Sequence, residues 1–294
     1  MSSSSATEIE SKVIGAACPQ QGNREWWESN PMTYDWEKTL QISPGTTEWY
    51  GEIDRRFLDS AFYAKRQDGE PFGRFLTSEL VEGKQVLEVG CGMGTHAEML
   101  VRRGAHLTAI DQTAFAVRST NRRLALGNLK AQVSQQDAET LGFRDASFDV
   151  VWTWGVIHHS KSTERCVDQL ARVLRPGGRL FMMVYYRPSL VYYLHCGLIR
   201  GVLMGKLLRH SLDQIYVSSA DGFFARVFNK SELQELLSKN FHSLQMTVVG
   251  LKAELYPIPR SRFKISLERC TPDWLANAIL RYFGSMIVVE AIRS

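Results

Sequence analysis

Residues 86–94 read Val-Leu-Glu-Val-Gly-Cys-Gly-Met-Gly, and this stretch constrains the fold more than any other. A short β-branched run that ends in alternating glycines predicts a buried strand feeding a tight turn. Glycines in such a turn let the backbone approach a ligand with no Cβ in the way. A helix opening at Thr95 would point its free N–H groups back over the turn. A second apolar run, 106–110, ends in Asp111, twenty-one residues after Gly90. A carboxylate at that distance, at the tip of the next parallel strand, is placed to accept hydrogen bonds from ribose hydroxyls.

The dinucleotide fingerprint G-x-G-x-x-G/A is not met, because Gly90, Gly92 and Gly94 alternate and Thr95 comes next. Glu88 sits on the strand just ahead of the loop, where a carboxylate suits a ligand carrying a cation and disfavours a pyrophosphate. On these residues the chain resembles the class I S-adenosylmethionine-dependent methyltransferases. Their first motif, E/D-x-G-x-G-x-G, is matched by Glu88, Gly90, Gly92 and Gly94, with Cys91 inside the loop. The resemblance implies that this loop passes the methionine part and ribose of S-adenosylmethionine, with Asp111 and the adjacent Gln112 at the ribose. It further implies that Asp137 meets the adenine amino group and that the backbone at Ala138 meets the ring; the plainer reading of Asp137 is a turn residue that caps the next few residues. Trp154-Gly155-Val156-Ile157-His158-His159 resembles the family's fourth motif, where the cofactor's methionine end and the acceptor meet. Leu174-Arg175-Pro176-Gly177-Gly178-Arg179-Leu180 resembles its post-motif turn. The likeness covers about 81–184.

From 81 to 183 strand and helix patterns alternate. The strands fall at 85–90, 106–110, 130–135, 148–153 and 179–184, and the helices at roughly 95–103, 113–126 and 162–174. Gly104 and Gly127 stand where helix C-caps are wanted. This alternation specifies a parallel sheet with right-handed crossovers and helices on both faces. The expected fold is α/β: a Rossmann-like, doubly wound, seven-stranded sheet, mostly parallel, with an antiparallel last strand and a helical cap or lid. The resemblance places Val288 to Ala291 of the last strand antiparallel beside the fifth. Asn229 and Glu232 predict a capped helix start before a strand near 242–250.

The expected organisation is a disordered N-terminus (1–23), an aromatic-rich helical lid (24–80), the cofactor-binding core (81–184), a helical substrate cap (185–228) and a completion of the sheet (229–294). In the lid, Trp26, Trp27, Tyr34, Trp36, Trp49 and Tyr50 crowd together, and 54–63 is its clearest helix. The serine-rich start lacks the basic and apolar regions of a signal peptide, so a cytoplasmic location is expected. Five scattered cysteines show no metal-ligand spacing, which predicts reduced thiols and no structural metal. A net charge of +4 and a pI near 8.8 fall short of a nucleic-acid-binding signature, so no nucleic-acid partner is expected.

Methyl transfer from a sulfonium needs a general base only if the acceptor must lose a proton. His158 and His159 are the candidates, because imidazole titrates near working pH; the plainer reading is a backbone-bonding histidine. Tyr34 from the lid and Tyr185, Tyr186 and Arg187 at the end of the fifth strand are the candidate acceptor contacts. The apolar segment 189–208 is too short to span a bilayer, since only twelve uncharged residues separate Arg187 from Arg200. Gly197, Gly201 and Gly205 predict one narrow helix face suited to close packing. This segment reads as a buried cap helix, as the wall of an apolar substrate site, or as a peripheral membrane contact through 188–210. The functional expectation is transfer of a methyl group from S-adenosylmethionine to a small apolar or amphipathic acceptor. The rivals are an RNA or protein methyltransferase and a non-catalytic cofactor-binding module. An adenine-N6 enzyme would carry Asn/Asp-Pro-Pro-Tyr/Phe after the fourth strand, where this chain has Trp154-Gly155-Val156-Ile157.

Overall fold

The computed structural model describes residues 19–35 and 40–294. Residues 1–18, which include Cys18 and most of the expected disordered start, and Trp36 lie outside the described residues. Residues 19–23, placed by sequence in that start, belong to helix α1 (Pro19–Ser29). Tertiary bonds hold this helix: the Asn23 side chain accepts the N–H groups of Phe223 and Phe224, and Glu28 accepts the N–H of Phe115. The clearest lid helix, α2, runs Thr47–Ser60 and begins earlier than expected, because Thr46 caps it by accepting the N–H of Trp49.

The core continues in alternation: β1 (Gln85–Val89), α3 (Thr95–Arg102), β2 (His106–Asp111), α4 (Ala114–Leu126), β3 (Gln132–Gln135), β4 (Phe148–Trp154), α5 (Thr163–Val173) and β5 (Leu174–Tyr185). Seven strands form one sheet in the order β3-β2-β1-β4-β5-β7-β6. β1 to β5 are parallel, and β7 (Met286–Arg293) pairs antiparallel with β5, Leu180 opposite Ala291 and Met183 opposite Val288. β6 (Phe241–Val249) closes the edge antiparallel to β7. Apolar cores cover both faces. Leu87, Val89, Val151 and Leu180 pack one way with Leu170 of α5, while Val86, Trp152 and Phe181 pack the other way with Leu100 of α3 and Phe57 of α2. Strands buried on both faces read as the near-continuous apolar runs seen here.

Both expected capping glycines stand at helix ends: Gly127 is the C-cap of α4 at φ −84°, with Asn128 after it carrying the left-handed turn at 52°, and Gly104 follows the C-cap of α3 at φ 84°. One local expectation is corrected. Leu174 to Gly178 are not a free turn: Leu174 already pairs with Phe148, and the register then jumps so that Arg179 pairs with Val150, with Gly177 at φ 76° absorbing the kink.

The chain leaves the sheet after β5 and returns at Phe228. Phe228 N–H donates to Tyr185 and Arg187 N–H donates to Phe228, so the excursion starts and ends at one point. It holds a wide helix, Val191–Leu203, closed by a bond from Met204 N–H to the carbonyl of Ile199, five residues back. α6 (Leu212–Val217) packs on it through Tyr192, Cys196, Ile215 and Tyr216. The wider turn breaks the four-residue glycine register. Gly197 meets Leu212, Gly201 meets Leu207, and Gly205 lies past the helix end at φ 70°. The three glycines therefore form no single packing face. After the cap come α7 (Lys230–Leu237), opened by the expected Asn229–Glu232 capping box, then α8 (Arg262–Cys270) and α9 (Asp273–Phe283).

Candidate functional site

Ligands of open parallel sheets bind beyond the carboxyl ends of the strands. Here a cavity of about 1030 Å³ lies over the ends of β1, β2, β4 and β5. Its floor is the glycine loop. Gly90, Gly92 and Gly94 all take left-handed φ, at 83°, 51° and 78°. The N–H groups of Gly90 and Cys91 both donate to the carbonyl of Ile110, which ties the loop to the end of β2. At Gly90 a Cβ would stand 2.2 Å from Val156 Cγ2, so the β4 turn closes over this loop only because the residue is glycine. At Gly92 nothing lies within 4 Å of the Cβ position, so that backbone is bare toward the cavity.

Asp111 lines the cavity and organises the loop. Its carboxylate accepts the N–H of Gly92 (3.1 Å), the N–H of Thr113 (2.9 Å) and the Thr113 hydroxyl (2.8 Å). Burial pushes its pKa up, and a carboxylate has about four acceptor sites, so capacity for further donors remains. Glu88 lies buried beneath the loop with Oε2 lacking any hydrogen-bond partner among the described residues. Burial, and then the charge of Asp111, raise its pKa to about 8. Glu88 is absent from the cavity wall and, with this pKa, keeps its proton near pH 7, so it stands behind the loop as a neutral carboxyl. Gln112, Cys91, Ala138 and Trp154 also line the cavity. The Cys91 thiol is pushed well above its ordinary pKa by burial, which makes it a small packing residue and not a nucleophile.

Asp137 does not line this cavity. Gln20 of α1 donates its amide to both carboxylate oxygens, at 2.8 and 2.9 Å, and Asp137 faces a smaller hollow of about 500 Å³ with Gln112 and Gln136. The sequence carries no local sign that a residue of α1 would reach it.

The other end of the cavity is aromatic and lies under the cap. Tyr34, Tyr63, Trp154, Tyr185 and Tyr216 line it, with Asp221 and Glu254. Burial raises the phenol pKa of Tyr34, Tyr63, Tyr185 and Tyr216, so all four stay neutral. Tyr34 holds a left-handed φ of 55°, a strained backbone of the kind kept at functional positions. Tyr186 and Arg187 do not reach the cavity. Side chains alternate along a strand, so Tyr186 points into the opposite core beside Phe228. Arg187 bonds Glu232 at 2.7 Å and the Val227 carbonyl at 3.1 Å, pinning the cap's exit to α7.

The two histidines part company. His158 is fully buried and absent from the cavity wall. Neither ring nitrogen has a hydrogen-bond partner among the described residues, and the ring packs at a tilt against both His159 and Tyr185, at centroid distances of 4.2 and 4.1 Å. Burial holds its pKa well below the ordinary value, so it is neutral. His159 does line the cavity, and its Nδ1 bonds the Phe224 carbonyl at 2.8 Å. A carbonyl only accepts, so Nδ1 carries the proton and Nε2 keeps the lone pair.

Three residues give the site what sequence reasoning missed. Arg123, on the buried face of α4, bonds Asp54 of α2 and Glu98 (2.6 Å) and Thr95 (3.1 Å) of α3, locking both helices behind the loop. Its helical spacing from Ala116 and Thr120 signals burial, but its partners are distant in sequence. His96 lines the cavity inside a box of Phe57, Phe72, Trp152 and Trp154, and burial lowers its pKa to about 3. Glu254 accepts bonds from Leu251 N–H (2.7 Å), Ser285 N–H (2.8 Å) and the Ser285 hydroxyl (2.7 Å), and burial raises its pKa to about 7. Nothing local in the sequence marks it.

Comparison with known proteins agrees with this geometry. A family model described as a methyltransferase domain matches residues 87–182, the span from β1 to β5. Residues 87–182 carry a methyltransferase domain. Over 108 residues the chain is 33% identical to the demethylmenaquinone methyltransferase of Clavibacter sepedonicus, a match that covers 37% of this chain and 44% of that protein. Over 101 residues it is 38% identical to the 27-O-demethylrifamycin SV methyltransferase of Amycolatopsis mediterranei, covering 33% and 37%. The chain thus spans less than half the length of these relatives. A protein from Pyrococcus horikoshii OT3 shares the fold with a TM-score of 0.53 at 14% identity, over 88% of this chain and 98% of that one. The methyltransferase domain therefore supplies the loop, Asp111 and Trp154, whereas Tyr34, Tyr216, Asp221 and Glu254 lie outside the matched span.

Proposed function

We propose that this chain transfers a methyl group from S-adenosylmethionine to a small apolar or amphipathic organic acceptor held under the cap. The observation that carries the reading is the continuous cavity that runs from the bare loop and Asp111 to the aromatic chamber of Tyr34, Tyr63, Tyr185 and Tyr216. The residues present fit the cofactor: Asp111 retains acceptor capacity for hydroxyl donors, and Gly92 leaves room for close approach. When bound, S-adenosylmethionine supplies an electrophilic methyl on a sulfonium. The chain itself then has to orient the acceptor, exclude water and, for a hydroxyl or carbon acid, take a proton.

Two groups on the wall can accept that proton: His159 through Nε2, and Glu254, whose pKa near 7 places it at working pH. His158 is too deeply buried to serve, and its packing on Tyr185 gives it a positioning role. The relatives' names make demethylmenaquinone and demethylrifamycin the first acceptors to screen. The test is calorimetric titration with S-adenosylhomocysteine, then radiolabelled methyl transfer to those and other hydroxylated ring compounds. Saturable binding with transfer to an organic-phase product is the expected result. Binding without transfer to any acceptor would favour a non-catalytic module, and no binding would end the reading.

A further inference from the structure

Two elements that contribute to the chamber wall also carry segments that combine exposed apolar side chains with cations. The first is the end of the cap helix and the turn after it. Val202, Leu203, Met204 and Leu208 are exposed there, Leu203 by 72% and Leu208 by 89%. The second comprises α8 and the start of α9, where Phe263 and Trp274 are exposed by 66% and 72%. Each segment belongs to an element that reaches the cavity: Val191, where the cap helix begins, and Ile265 and Asp273 of the other segment line it. Single exposed leucines are ordinary, but clusters of this kind on two elements that wall one cavity mark a contact surface.

Charge identifies the partner. Residues 188–212 contain no Asp or Glu but do contain Arg200, Lys206 and Arg209. Residues 255–267 likewise contain no acid but carry Arg260, Arg262 and Lys264; Glu268, Arg269 and Asp273 follow, the last paired with Lys252 at 2.7 Å, and the segment stays net cationic. A second copy docking through the same face would set these cations against their own equivalents, since a two-fold interface pairs a patch with itself. An anionic lipid surface satisfies both features at once, taking the leucines into its acyl boundary and the cations at its headgroups. No helix among the described residues is long and apolar enough to cross a membrane, so the contact is peripheral.

We infer that the rim of the chamber docks on an anionic lipid surface, from which an amphipathic acceptor enters beneath the cap. The entry clause rests on the methyl-transfer reading; the docking does not. The test is co-sedimentation of the full chain with phosphatidylcholine vesicles, with and without phosphatidylglycerol. Pelleting with the anionic vesicles, weakened by salt, is expected. L203E/L208E should lower the partition coefficient by about tenfold or more, because it removes apolar insertion and adds repelling charge. R200Q/K206Q/R209Q should abolish the preference for anionic vesicles. Both variants should bind S-adenosylhomocysteine as the wild type does, which shows that they are folded. Wild-type protein left in the supernatant with both vesicle types would overturn the inference, as would undiminished pelleting of L203E/L208E. A wild-type dimer by light scattering that L203E/L208E turns into a monomer would assign the face to self-association and overturn it as well. Vesicle binding with no transfer to any acceptor would tell against the methyl-transfer reading alone. Transfer to a detergent-dispersed acceptor without vesicle binding would tell against the docking alone.

Discussion

The two ends of the cavity are built by different means. The cofactor end is made of backbone: three left-handed glycines, N–H groups bonded to Ile110, and one carboxylate that gathers the loop around itself. Its parts lie close in sequence, at adjacent strand ends. The acceptor end is made of side chains from the lid, β5, the cap and the segment before α8, brought together by tertiary packing. Substitutions at the first end should therefore break geometry, and those at the second should tune selection. The chamber's neutral phenols offer apolar faces with single polar handles, which suits an amphipathic ring compound better than a charged one.

The largest effect should come from Gly90→Ala. The new methyl group would have to share space with Val156 while the backbone holds a φ of 83°, so the loop or the β4 turn must move. We expect loss of S-adenosylhomocysteine binding together with a lower melting temperature. Gly92→Ala meets no protein atom, so it should cost only the left-handed strain of about 1–2 kcal/mol and yet lose most of its affinity. Wild-type affinity in Gly92→Ala would show that the ligand does not approach the loop there.

Asp111→Ala should come next. It removes three accepted hydrogen bonds from the loop as well as those a ribose would donate. With charge-assisted bonds at about 1.5–3 kcal/mol, affinity for S-adenosylhomocysteine should fall about a hundredfold, measured by calorimetry. Undiminished affinity would strip the cofactor end of its assigned role. At the other end, Tyr185→Ala should raise the acceptor KM about tenfold, the order expected for one lost aromatic wall, while leaving nucleoside affinity near wild type. If both constants moved together, the two ends would not be separable.

A smaller effect concerns pH. Glu88 titrates near 8 in the folded chain against an ordinary value of 4.5, so the native state keeps a proton that the unfolded chain releases. That contribution to stability is full below about pH 4.5 and is lost as pH rises toward 8, at up to about 1.4 kcal/mol per pH unit. Glu88→Gln cannot ionise, so its denaturant midpoint should change less with pH between 5 and 8 than that of the wild type. Equal pH slopes would mean that Glu88 is ionised in the folded chain.

The same division governs what the sequence reveals. The glycine loop, Asp111 and the alternation of strands and helices along the core arise from period, turn chemistry and strand spacing, all of which are local rules. Family resemblance, not periodicity, puts β7 beside β5, and the antiparallel register agrees. The aromatic chamber is only partly legible: the sequence points to Tyr34 and Tyr185 but not to Tyr216, Asp221 and Glu254, because no pattern along the chain shows which way a cap folds back. Asp137 shows the reverse problem. It stands at the matching motif position, yet a glutamine from α1, more than a hundred residues earlier, holds it.

Arg187 gives the smallest and sharpest test of the division. It stands two residues after Tyr185, and proximity alone would assign both to the acceptor. The structure turns it outward to Glu232 and the Val227 carbonyl, with both ion-pair partners partly exposed. Arg187→Gln should therefore cost only about 0.5–1 kcal/mol of stability in a denaturant titration. It should also leave the acceptor KM where it was, while Tyr185→Ala raises it. A several-fold rise in KM from Arg187→Gln would show that pinning the cap's exit shapes the chamber, and that the acceptor end extends past its lining to the residues that fold the cap over it.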